Sequence, residues 1–138
     1  MSNELAIITP NNVLAQDAGA TYCSIKADGD RAKAGMIYNA LNNPDDRVSN
    51  LINKTIEIVD VLIEAQDILN EETGEIERVP RVVLFDKDGK SYQAISVGIL
   101  SSVKNLVLAY GEPTWNPPIP VTVKQVPTKR GSMLTLTA

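Results

Sequence analysis

RVVLFDKDGKSYQAISVGILSSVKNLVLAYG, residues 81–111, holds the features that decide the fold: a tight turn between two strand-like runs, followed at once by a helix. Asp86 to Gly89 fits a type I turn, with the glycine taking the left-handed position that closes it. RVPRVVLFD (78–86) enters the turn as one strand, and KSYQAISVG (90–98) leaves it as the next. In SSVKNLVLAYG (101–111), Val103, Leu106, Val107 and Tyr110 recur at i, i+3, i+4 and i+7, which predicts one apolar stripe on a helix of about three turns. Ser101 or Ser102 is placed to cap its start, while Gly111 and Pro113 end it.

Upstream, KTIEIVDVLIEA (54–65) is rich in β-branched residues and apolar on both faces in its middle, the pattern of a long strand that bends. The acidic NEETGE (70–75) turns it into the strand at 78–86. Downstream, the proline-rich EPTWNPPIP crosses to VTVKQV (121–126), PTKRG turns again, and SMLTLTA (132–138) alternates as the last strand. Strand, strand, strand, helix, strand, strand is the connectivity of a mainly β, five-stranded OB-fold, a Greek-key barrel whose helix lies between strands three and four. An SH3-like barrel has five strands as well but needs no full amphipathic helix at that point.

These elements occupy residues 51–138, which predicts a self-standing domain there and an N-terminal arm over residues 1–50. Ala34, Ile37, Tyr38 and Leu41 fall at helical spacing, so the arm carries a short helix that starts near Asp28 or Asp30 and stops before Pro44. The apolar runs Leu5 to Ile8 and Ile37 to Leu41 make the arm a candidate for contact with other copies of the chain.

With no histidine and a single Cys23, the usual zinc spacings, an internal disulfide and the Ser-His-Asp or Cys-His arrangements are impossible. Neither a G-x-x-x-x-G-K-[ST] nor a G-x-G-x-x-G loop occurs among the eight glycines. Asp86 and Asp88 lack the later ligands of a calcium loop, and the turn itself accounts for both. The expectation is a protein that is no enzyme and needs no cofactor or metal. No apolar run approaches the roughly 20 residues of a membrane span, and MSNELAIITP lacks the pattern of a signal peptide, so a soluble protein without a membrane partner is expected.

The net charge of −4 hides a split. Residues 1–77 hold 5 basic and 14 acidic side chains, whereas residues 78–138 hold 8 basic and 3 acidic ones. Such asymmetry points to a charged partner. On an OB barrel, ligands lie across strands two and three and between the loops joining strands one to two and four to five. Strands two and three supply Arg78, Arg81, Phe85, Lys87, Lys90 and Tyr92; the last hairpin adds Lys124, Lys129 and Arg130. Two basic walls with aromatics between them suit single strands, because every base has a face to stack. If Asp86 pairs with Lys90, Phe85 and Tyr92 lie on opposite faces; a longer loop brings them together. Tyr92 is expected to face outward, since Ile95, Val97 and Ile99 on the other parity make the better core. Phe85 and Tyr110 are expected in the core, and Trp115 is either a lid over the barrel end or a base-stacker.

The run from Lys54 to Thr137, and above all residues 81–111, resembles the OB-fold single-stranded DNA-binding proteins of phages and conjugative plasmids of Gram-positive bacteria. The likeness rests on a strand ending at a D-x-D-G-K turn, an aromatic in the following strand, an S-x-G step and the capped helix. It implies sequence-independent binding and protection of single-stranded DNA, or RNA, in the cytoplasm of a bacterial host during replication or transfer. Glu57 to Glu77 departs from this picture, with eight acidic residues and no basic one, which shifts the expected path of the strand away from that hairpin. A protein-binding OB-like module or a phage assembly component is the alternative; retention on single-stranded DNA that fades with salt separates the two.

Overall fold

The middle of the third strand has no solvent face, and that one fact sets the architecture. In the computed structural model, which describes residues 21–129 and 131–138, this strand runs from Thr55 to Leu69. Residues 1–20 of the expected arm, with their apolar run, and Arg130 lie outside the described residues. Around the third strand the chain order is β1 (Thr21–Cys23), α1 (Arg31–Asn42), β2 (Asp46–Arg47), a 3₁₀ turn (Val48–Leu51), β3 (Thr55–Leu69), β4 (Ile76–Asp86), β5 (Ser91–Ala94), α2 (Val97–Tyr110), β6 (Ile119–Thr128) and β7 (Gly131–Thr137).

The described strands form one curled, mixed sheet in the order β2-β5-β4-β3-β6-β7, with β1 added beside the far half of β3. This is mainly β, as expected, but with seven strands among the described residues instead of five. The two additions are short and precede the predicted barrel. β1 pairs antiparallel with Leu62 to Glu64, and β2 pairs parallel with Tyr92 and Gln93. Asp45 holds β2 in place, its carboxylate accepting from the Ser91 N–H at 2.9 Å while its own N–H donates to Ser91 Oγ at 3.1 Å. From β2 the chain crosses to β6, where the Asn53 N–H donates to Val123 O at 2.7 Å and the Val123 N–H donates to Lys54 O at 3.1 Å.

A β-bulge at Val59 changes the register of β3 against β4 between Ile58 and Asp60. It lets Ile56, Ile58, Val61 and Ile63 all reach the larger core, together with Val82, Leu84, Tyr92 and Ala94. Ile99, Leu100, Val103 and Leu106 of α2 cover this face. The opposite face carries Leu62, Val83 and Phe85, and there α1 and Ile25 cover them through Met36, Ile37, Ala40 and Leu41. Residues 21–50, expected to form an arm outside the domain, contribute two strands, a covering helix and the core residue Val48.

Both helices differ in detail from the spacing argument. Ser96 and not Ser101 or Ser102 caps α2, with the Ile99 N–H donating to Ser96 Oγ at 3.1 Å, because Ile99 extends the stripe of Val103 and Leu106 back by a turn. Gly111 ends it at φ 89°. Tyr110, expected in the core, is 55% exposed, the buried stripe of α2 ending at Leu106. α1 is capped by Asp30, and its contact face is rotated: Ile37 and Leu41 pack as expected, but Tyr38 faces solvent.

Gly98 lies where α2 meets β7, and a Cβ there would run into the carbonyl oxygen of Leu134 and the side chain of Met133. Gly98→Ala should therefore cost about 1–3 kcal/mol in urea unfolding; a neutral effect would mean that β7 moves freely off the helix. A chain shortened to begin at Asn50 should show no cooperative melt by circular dichroism, because it lacks β1, α1, β2 and Val48. A melt near that of the full chain would show that those residues are dispensable.

Candidate nucleic-acid interface

The turn at Asp86 pairs as the tighter of the two registers requires. The Asp86 N–H donates to Lys90 O at 2.9 Å, and Phe85 and Leu84 stand opposite Ser91 and Tyr92. Phe85 and Tyr92 consequently face opposite sides of the sheet, and both sides are covered. Phe85 is 1% exposed beneath α1, and Tyr92, expected outward, is 5% exposed in the larger core. The parity argument for Tyr92 fails because β5 stops at Ala94; Ile95 and Val97, counted as its core residues, are exposed at the entry to α2. Trp115 is also core, its Nε1 donating to Gly111 O at 2.8 Å and its backbone N–H to Val59 O at 2.9 Å. Of the expected aromatic platform, no ring lies open to a base in this conformation.

The expected cations divide by partner. Arg81 is buried, donating from Nη2 to Ala40 O at 2.9 Å and from Nε to Gln93 Oε1 at 3.2 Å, with Glu64 at 3.6 Å. It holds the C-terminal end of α1 on the sheet. Arg78 forms a two-point pair with Asp67, at 2.7 and 3.1 Å. Lys87 pairs with Glu57 at 2.7 Å, and that hydrogen bond raises its pKa. Among the described residues, Lys90, Lys124 and Lys129 are exposed and form no ion pair, Lys124 donating to Asn53 Oδ1 at 3.4 Å and Lys90 standing 5.6 Å from the ring centre of Tyr92.

Sequence reasoning missed two cations that belong with these. Lys54 is fixed against β6 by the Val123 N–H, and Arg47 lies on β2 opposite Gln93. Asp46 beside them has a lowered pKa, chiefly through hydrogen bonds from Asn50 and the Arg47 N–H, with Lys90 and Lys54 contributing. Arg47, Lys54, Lys90 and Lys124 thus gather where residues 46–54 cross from β5 to β6. Thr55 and Thr122 join their hydroxyls at 2.7 Å on the same surface. Only folding brings these positions together, and the nearest sequence signal was the pair of basic residues flanking VSNLIN. Among the described residues, no group of three His, Cys, Asp or Glu side chains is placed to hold a metal. No helix there is long and apolar enough to cross a membrane.

A face of three lysines and one arginine outside the ion pairs found among the described residues suits a polyanion. The family model of the phage single-stranded DNA-binding proteins, Phi29 type, matches residues 16–137, and the chain belongs to this family. Among curated proteins and among solved structures, nothing matches it.

Tyr92 reports on the turn that borders this face. Its hydroxyl donates to Asp86 Oδ2 at 3.0 Å, and burial first, then that bond, pushes its pKa from the ordinary 10.0 to about 12. Because the folded-state value is the higher one, this contribution to stability is complete below pH 10 and is lost as the pH rises toward 12. Tyr22, also raised to about 12 chiefly by burial, acts in the same direction. Tyr92→Phe should cost about 1 kcal/mol at neutral pH and lessen the alkaline loss followed by urea unfolding. An identical alkaline loss in both proteins would leave Tyr22 as its source.

Proposed function

We propose that this protein binds single-stranded DNA without regard to sequence and coats it during phage or plasmid replication or transfer, in the cytoplasm of the bacterial host. Membership of the phage single-stranded DNA-binding family over residues 16–137 carries this reading. The order β3-β4-β5-α2-β6-β7 supports an OB-type barrel for that purpose, with β1 and β2 as additions to it. No enzymatic step is part of the proposal.

Five exposed cations support a path for the strand. It runs from Lys90 and Arg47 past Lys54 and Lys124 to Lys129 at the tip of the β6–β7 hairpin. Arg78, Arg81 and Lys87, whose charges are engaged by carboxylates, act as supports and not as primary phosphate contacts. Stacking, expected of Tyr92 and left open for Trp115, passes to side chains that the fold leaves open. Contact with neighbouring copies, first assigned to residues 1–50, falls to residues 1–20, because residues 21–51 are engaged in the fold.

Retention on oligothymidine should fade as salt rises, with little dependence on base composition. Replacing Lys54 and Lys124 together by alanine should flatten the plot of log affinity against log salt by about 1.4, at about 0.7 per phosphate neutralised on a single strand. Arg78→Ala should leave the slope nearly unchanged. An unaltered slope in the double variant overturns the path, and indifference to DNA at every salt concentration overturns the function.

A further inference from the structure

Among the described residues, the edge strands β2 and β7 do not pair; beyond β2 the chain reaches β6 at the single bridge between Ile52 and Val123. β5 ends at Ala94, and Ser96 turns the chain into α2, while β7 leans on that helix through Gly98 and through the Leu136 N–H, which donates to Ser102 Oγ at 3.1 Å. Between β5 and β7, beside the first turn of α2, lies a cleft of about 390 Å³. Ala94, Ile95 and Leu134 give it apolar walls; Arg47, Ser49 and Gln93 give it polar ones.

Two other clefts of similar size make the comparison that matters. One, of about 330 Å³, lies beside Tyr110 and the proline-rich crossing, and Glu112 is the charged group in its lining. Another, of about 370 Å³, gathers Glu57, Asp86 and Asp88 around Lys87, whose charge Glu57 already engages. Both repel phosphate. The β5–β7 cleft is bordered by Arg47, which forms no ion pair among the described residues, and its neighbour Asp46 is committed to the Arg47 N–H and to Asn50. Gln93 spends its carbonyl oxygen on Arg81, so its amide nitrogen is the group left to donate. Ile95 is 58% exposed, an apolar side chain held open at the mouth.

We propose that this cleft receives one base of the bound single strand, the base lying between Ile95 and Leu134 with its phosphate on Arg47. The volume lies near the lower end of the range for small-molecule sites, about 300–1,000 Å³, which suits one nucleotide and not a longer segment. Apolar walls accept any base, and the donors at the rim have acceptors to meet on each of them, so the site is compatible with sequence-blind binding. Because Arg47 lies on the same crossing as Lys54, the cleft continues the cationic path and anchors it with a buried base. The inference rests on the single-strand-binding reading above.

Photocross-linking of the full chain to oligothymidine carrying 4-thiothymidine, with the linked peptides mapped by mass spectrometry, tests it. Links are expected at Gln93 to Ser96 or at Leu134. Ser49→Phe, which fills the cleft, should weaken oligothymidine binding about tenfold and remove those links, whereas Asn105→Phe on the exposed side of α2 should change neither. If Ser49→Phe lowers the melting temperature, Arg47→Gln carries the test, with weaker binding and fewer links expected at unchanged stability. DNA bound by these variants as by the parent, with links confined to other segments, overturns the cleft and leaves the single-strand reading standing. Absence of any DNA binding by the parent overturns both.

Discussion

Burial of both faces of β3 is the constraint on which the rest depends. Val61, Leu62 and Ile63 are consecutive, and all three are fully buried, so neither side of the sheet can be left to water at that point. Each such side chain contributes about 1.5–3 kcal/mol through burial, and exposing one face would forfeit that for Leu62, Val83 and Phe85 together. One face is therefore roofed by α2 and the other by α1. The second roof has a functional cost, because it covers the outer surface of β4 and β5 on which a ligand was expected. What remains open is the margin of the sheet, where residues 46–54 cross and where the unpaired cations gather.

Two buried charges fasten the roofs. Asp60 accepts from Ser24 Oγ at 2.8 Å and from Thr114 Oγ1, which joins β1 and the segment after α2 to β3. Arg81 gives α1 a donor for the carbonyl of Ala40, one of the helix-end acceptors that have no partner within the helix. A buried charge without partners would be strongly destabilising, so each must have its hydrogen bonds complete. Among the described residues, no buried side-chain polar atom lacks one. The same completeness removes Arg81 from the DNA: a guanidinium bonded to Ala40 O, Gln93 and Glu64 has little left to offer a phosphate.

Local chemistry was legible in the sequence, and tertiary coverage was not. The Asp86–Gly89 turn, the ends of α1, the two-faced β3 and the order of strands and helix around α2 follow from glycine, proline, capping and periodicity, all of which act within a few residues. The family resemblance was drawn from that turn and helix, and the family's match extends from there over residues 16–137. The orientation of Tyr92 was lost because a strand and a helix were counted as one continuous alternation across Ser96. β2 is two residues long and gives no periodic signal; its place comes from Asp45 and Ser91, 46 residues apart. Arg47 and Lys54 escaped notice because charge near a predicted arm says nothing until the arm is folded against the barrel.

A chain of net charge −4 can still present a cationic face, because its charges are separated along β3. The carboxylates Glu71, Glu72, Glu75 and Glu77 cluster at or near the β3–β4 tip, whereas Lys54 precedes the other end of a 15-residue strand. At a rise of about 3.3 Å per residue the strand's contour is roughly 50 Å, against a Debye length of about 8 Å at physiological salt. Even with the curl of the sheet, the acidic tip is screened from the crossing at residues 46–54. The fields of the acidic tip and of the crossing are therefore felt separately and not as their sum. At the crossing itself, Arg47, Lys54, Lys90 and Lys124 stand with the carboxylates of Asp45 and Asp46, of which Asp46 is already bonded to Asn50 and the Arg47 N–H, so the proposed path depends on the local balance there and not on the net charge.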